Sequence, residues 1–206
     1  MIIQGSDEWF ATRCGKVTAS RVADVIAKTK SGWGASRKNY MAQLIAERLT
    51  NTVADSFSNA AMQWGTDTEP KARVAYEFLT GEAVKEIGFV DHPTIPMTGA
   101  SPDGLVGIEG MVEVKCPLTA THIDTLLSQK VPTKYDTQMQ WQMACANRNW
   151  CDFMSFDPRM PEHLNSWIHR VERDDERIKE LEEMVAEFLV ELGDKVDALN
   201  KLEKAA

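Results

Sequence analysis

The segment Met111-Val112-Glu113-Val114-Lys115 constrains the fold most tightly. Side chains alternate faces along a strand. Glu113 and Lys115 therefore point one way, and Val112 and Val114 the other. The apolar residues around them bury such a strand, charges included. Ten positions earlier, Ser101-Pro102-Asp103-Gly104 puts an acid at a turn. That separation suits two adjacent strands joined tightly, here through Gly107 and Gly110. Two carboxylates and an ammonium then converge. Hard cations such as Mg²⁺ take one or two carboxylates plus water and substrate phosphate. A lysine beside them can hold an attacking water, so the local chemistry suggests metal-assisted phosphodiester hydrolysis. Glu-x-Lys is equally the pattern of a solvated salt bridge, and Pro-Asp-Gly that of an ordinary turn.

The rest of the chain predicts a mixed α/β (α+β) domain: a central mixed sheet flanked by helices, with a long C-terminal helix. A short helix is expected from Ser6, with Asp7 and Glu8 in its first turn and Trp9 and Phe10 as anchors. Thr18-Ala19-Ser20 reads as the cap of a second helix carrying Val22, Val25 and Ile26. Arg13, Thr18 and Ser20 could instead grip a phosphate at that helix start. Lys28–Ser36 reads as a basic loop, in which Trp33 either stacks on a base or rides on a mobile surface. Arg37–Thr50 reads as a helix, and 51–61 as a polar, weakly patterned stretch.

Trp64–Pro70 opens the next predicted helix, which ends at Gly81. Glu69 would then lie in its first turn, favoured by the helix dipole or facing a metal site. Strands are expected at about 83–90, 97–106 and 111–116. Helices follow at Thr119–Gln129 and Lys134–Asn147. Tyr135, Gln138 and Gln142 share one side of the latter. Strands at Trp150–Asp157 and Leu164–Val171 precede a long amphipathic helix from Arg173, where Gly193 is a candidate bend. The expected organisation is one domain over 1–206: N-terminal helices 6–80, sheet and helices 82–171, and the C-terminal helix 173–204.

At 206 residues, with 43% hydrophobic residues, one domain with a sizeable core is expected. No membrane span or secretion signal is read, and four scattered cysteines fit a reducing cytoplasm. The net charge of −8 looks wrong for a DNA-binding protein, but it is uneven. Residues 171–206 hold 12 acids against 6 bases, whereas residues 1–48 hold 8 bases against 4 acids. A phosphate-binding surface is expected in that first quarter.

Taken together, these residues resemble the phage lambda exonuclease and YqaJ-type viral recombinase nucleases, within the PD-(D/E)xK, or restriction-endonuclease-like, superfamily. The resemblance runs through Trp9, Arg13-x-Gly15-x-x-Thr18-Ala19-Ser20, Trp64-Gly65, Glu69 and Ala72-Arg73. It continues through Ala100–Leu105, Glu113–Pro117, Tyr135-x-x-Gln138-x-Gln140 and Asp157–Met160. It implies a processive 5′→3′ exonuclease on linear double-stranded DNA, releasing 5′-mononucleotides and leaving 3′ overhangs.

By residue matching, Asp103, Glu113 and the Val114 carbonyl would hold Mg²⁺, with Mn²⁺ as a substitute. Glu69 would serve a second ion or its waters, and Lys115 would place the nucleophilic water. Tyr135 and Gln138 would line the active site, while Arg13, Thr18 and Ser20 would bind the 5′-phosphate. A wedging role for Trp33 matches no signature of the family. The resemblance further implies a ring-shaped homotrimer, a phage single-strand annealing protein as partner, and a phage or prophage protein acting in the bacterial cytoplasm. A restriction-type endonuclease and a catalytically silent DNA-end-binding module are the alternatives.

Overall fold

The computed structural model describes residues 3–30, 32–54 and 59–202. Outside them lie Met1 and Ile2, Ser31 of the basic loop, four residues of the polar 51–61 stretch and residues 203–206, of which 203 and 204 are the expected end of the C-terminal helix. The chain runs through α1 (Asp7–Arg13), β1 (Val17–Thr18), a 3₁₀ turn (Ala19–Arg21), α2 (Val22–Val25), β2 (Lys28–Thr29), β3 (Gly32–Trp33) and α3 (Ala35–Thr50). Then come α4 (Ala60–Thr80), β4 (Val84–Lys85), β5 (Val90–Asp91), β6 (Thr98–Ala100), β7 (Gly104–Val106) and β8 (Gly110–Lys115). The remainder is α5 (Thr119–Ser128), α6 (Thr133–Ala146), β9 (Trp150–Phe156), a 3₁₀ turn (Glu162–Leu164), β10 (Ser166–Glu172) and α7 (Asp175–Leu202).

Five strands form a mixed sheet in the order β10-β9-β8-β7-β4. Only the β8–β9 pair is parallel, with Glu113 opposite Phe153 and Lys115 opposite Ser155. A smaller sheet, β1-β6-β5, stands beside it. Two of the expected strands are each divided between these sheets. β4 pairs with β7 in the large sheet, whereas β5 pairs with β6 in the small one. Likewise 97–106 breaks into β6 and β7 around Ser101-Pro102-Asp103. Proline has no N–H to give a ladder, so the strand ends there. Asp103 therefore sits where the two sheets part.

Each face of the large sheet is covered. Ala72 and Tyr76 of α4 pack on Val106, Val112, Val114, Met154 and Phe156. Met139 and Met143 of α6 pack on Leu105, Met111 and Phe153 on the opposite face. A further core joins Val17, Val22, Tyr40 and Leu44 to Leu181, Val185, Phe188 and Leu192 of α7. Trp141 of α6 enters this core too, so α6 binds the two halves together. Burying a side chain of this size stabilises the fold by roughly 1.5–3 kcal/mol. The amphipathic stripe of α7 packs on the body as far as Leu192, but Leu199 and Leu202 are exposed. The helix runs through Gly193 as one element.

Three local expectations are corrected. Thr18 caps nothing: its hydroxyl makes no capping bond, and a 3₁₀ turn follows instead. The helix expected from Trp64 starts earlier, at Ala60, where Asn59 accepts from the Met62 N–H. Pro70 is consequently inside α4, and Glu69 lies well past its first turn. The basic loop is a small hairpin, β2–β3, with α3 beginning at Ala35.

Candidate active site

Strand β8 delivers Glu113 into the interior, where its side chain is fully buried. Three donors meet it there. Lys115, two residues on and on the same face, bonds to Oε1. Gln138 donates to Oε1 at 2.6 Å, and Gln142 to Oε2 at 2.7 Å. These amides stand one turn apart on α6, so one helix face serves one carboxylate.

Asp103 approaches from the break between β6 and β7. Its Oδ2 accepts the Val114 N–H at 2.7 Å, which seats it against the C-terminal end of β8. Burial, and then the charge on Glu113, push the Asp103 carboxyl well above the ordinary range, against the pull of Lys115. Burial alone would lower Lys115, but Glu113 and Asp103 outweigh it and hold the ammonium firmly protonated.

A cavity of about 140 Å³ joins these groups to the N-terminal region. Its walls include Asp103, Glu113, Lys115, Gln138 and Gln142, and also Arg13, Thr18 and Ser20. The hydroxyls of Thr18 and Ser20 face one another at 3.5 Å. Arg13, the last residue of α1, lies over the Trp9 ring at 3.8 Å. The Trp9 indole N–H in turn donates to Ser101 Oγ at 2.9 Å. Gln4 adds a second tie, donating to the Pro102 carbonyl at 2.8 Å. The turn bearing Asp103 is thus fastened directly to the helix bearing Arg13. Burial lowers Arg13 somewhat, with Tyr40 and Glu47 opposing. Among the described residues, no carboxylate forms an ion pair with it.

The structure brings most of the expected residues together. Tyr135 stands at the edge, its ring stacked on Phe153 at 5.5 Å and 5.3 Å from the Lys115 ammonium. Glu69 is close enough for Lys115 and Glu113 to affect its ionisation, but its carboxylate bonds to Arg73. Burial, only partly offset by Arg73, raises it. Trp33 is not at the cavity. Its ring packs under Arg37 at 4.0 Å, and Arg37 pairs with Glu191 of α7 at 2.7 Å. Gln142, which the sequence places only on the same side of the helix as Tyr135 and Gln138, is a further donor to Glu113. Its spacing of four from Gln138 was the available signal.

A larger depression of about 480 Å³ lies between Gln129–Val131 and β10. Its acids are the half-buried Asp136 and the exposed Glu172, neither enclosed as Glu113 is, and its Arg170 is already paired with Asp152 at 2.8 Å. The smaller cavity is therefore the candidate site.

Residues 8–149 match the model of the YqaJ-like viral recombinase domain. The chain belongs to that family. Among solved structures, this YqaJ-type chain resembles an alkaline exonuclease, LHK-Exo, from Laribacter hongkongensis. The two are 53% identical with a TM-score of 0.92, over 98% of this chain and 100% of that one. LHK-Exo in complex with dAMP matches equally well. A phage-related exonuclease from Haemophilus somnus 129PT shares the fold: TM-score 0.74, 16% identity, 89% of this chain and 96% of that one. No curated protein sequence matches the chain. Among the described residues, no helix is long and apolar enough to cross a membrane.

Proposed function

We propose that this chain is a Mg²⁺-dependent, processive 5′→3′ exonuclease of PD-(D/E)xK type. It degrades linear double-stranded DNA from an end, releases 5′-mononucleotides and leaves 3′ overhangs. The observation that carries the proposal is one cavity shared by Asp103, Glu113, Lys115 and Arg13. The 53% identity to an alkaline exonuclease, one structure of which holds dAMP, supports the same reading.

The residues present fit a hard divalent cation. The half-buried Asp103 lies beside the fully buried Glu113, whose charge helps raise it. Among the described residues no three acids, imidazoles or thiols cluster into a complete cage. Two carboxylates and the Val114 carbonyl leave room for water and phosphate, which is how Mg²⁺ is usually held. Glu69, tied to Arg73, enters as the more distant acid, acting on a second ion or its waters. When bound, Mg²⁺ (or Mn²⁺) supplies Lewis acidity toward the scissile phosphate and makes water a better nucleophile near neutral pH.

The chain's own residues do the rest. Lys115, locked against Glu113, holds the attacking water, and its charge offsets that gathering on the phosphate. Gln138 fixes the Glu113 carboxylate, and Tyr135 walls the site. Arg13 binds the terminal 5′-phosphate, with Thr18 and Ser20 as hydroxyl donors. That pocket orients the strand, and with it the direction of digestion. Processivity follows if three copies form a ring around the duplex. The exposed 3′ strand is then delivered to a phage single-strand annealing protein in the bacterial cytoplasm.

Linear duplex labelled at either the 5′ or the 3′ end tests the polarity. The 5′ label should appear first, as free mononucleotide. Early release of the 3′ label would contradict the proposal.

A further inference from the structure

Helix α6 carries glutamines at 138, 140 and 142, and their amides are used differently. Gln140 is satisfied at both ends by backbone: Nε2 donates to the Glu172 carbonyl and Oε1 accepts from the Asp174 N–H, each at 2.9 Å. It is a brace between α6 and the start of α7. Gln142 has no exposed surface, yet only one end of its amide is engaged. Nε2 donates to Glu113 Oε2 at 2.7 Å. Oε1 is buried and has no hydrogen-bond partner among the described residues. The orientation is forced, because a carboxylate only accepts and must take the nitrogen. Gln142 itself is among the residues that line the cavity.

We infer that Gln142 is a positioning residue of the nuclease site. It holds Glu113 in the orientation from which that carboxylate meets a divalent cation, and its amide oxygen accepts from a water or hydroxyl entering the cavity. The inference rests on the proposed cation site at Asp103 and Glu113. Gln138 and Lys115 both act on Oε1, so Gln142 is the side-chain donor on Oε2. Without it the carboxylate is held from one side and can turn. Hydrogen-bond partners that orient metal ligands are commonly worth about 10–100-fold in metal affinity.

The test is Mn²⁺ binding to the full chain without DNA, followed by electron paramagnetic resonance, alongside thermal melting. Gln142→Met should weaken Mn²⁺ by about 10–100-fold. Gln140→Met should show the reverse pattern: an earlier melt and unchanged Mn²⁺ affinity. Gln142→Asn, which withdraws the amide by one methylene, should lose affinity in the same direction and carries the test if the methionine variant does not fold. A parent that binds Mn²⁺ while the Gln142 variants bind it as tightly overturns this role alone. A parent that binds none, or binds equally well as Asp103→Asn, overturns the cation site and this role with it.

Discussion

At the residue scale, function is divided among a few charges gathered around the buried Glu113. Lys115→Ala should reduce digestion of linear duplex by at least about 10²–10³-fold, the usual cost of removing one preorganised electrostatic group from an active site. A near-normal rate with Mg²⁺ would mean that Lys115 is only a partner for Glu113. Asp103 carries a pH signature. Burial and Glu113 raise it, so the metal-free folded protein keeps a proton that the unfolded chain loses near pH 4. Stability therefore falls as pH rises from about 4 through the raised value. In chelator at pH 8, Asp103→Asn should melt above the parent, and the two should converge toward pH 4. Added Mg²⁺ should stabilise the parent, by about 2.7 kcal/mol at a hundred times its Kd, and leave Asp103→Asn unmoved. Much of this was legible in the sequence: Asp103, Glu113 and Lys115 are brought together by strand alternation and a short connection. Glu69 was misplaced because Asn59 caps the helix upstream and Pro70 is tolerated inside it.

At the element scale, the site depends on how short pieces are tied together. Helix α1 has only seven residues, but it carries Arg13 at its end and reaches the Asp103 turn through Trp9. Arg13→Ala should abolish a preference for 5′-phosphorylated over 5′-hydroxyl ends, expected in the parent to be about 10–100-fold. Equal rates on the two ends in the parent would remove that role. The β5–β6 contact leaves no space for a side chain at Gly99. A Cβ there would lie 2.4 Å from the Val90 carbonyl oxygen and 2.5 Å from the Phe89 ring. Gly99→Ala should therefore lower stability by about 1–3 kcal/mol, measured by denaturant unfolding. Long elements were legible because periodicity accumulates: α6, β9, β10 and α7 lie within a few residues of expectation. Strands of two or three residues have no period to read, so the division of 83–91 and 97–106 between two sheets was hidden. Trp33 was ambiguous for a related reason: Arg37, which covers its ring, is itself held by Phe188 and Glu191 of α7, distant in sequence.

At the scale of the whole molecule, the uneven charge is reconciled with a DNA substrate by placement. The acidic α7 packs its apolar stripe against α2, α3 and α6, while Arg13 lines the cavity. In the proposed ring, three such cavities would face one central duplex, and their cations would act together despite a net charge of −8 per chain. Such an enzyme must be threaded by a free end and must have its cation. The most direct measurement is a time course on linear duplex and on covalently closed circular DNA of the same sequence, each with Mg²⁺ and with chelator. Linear DNA should be consumed only with Mg²⁺, and the closed circle should persist throughout. Cutting of the closed circle, or loss of linear DNA in chelator, would contradict a metal-dependent enzyme working from an end.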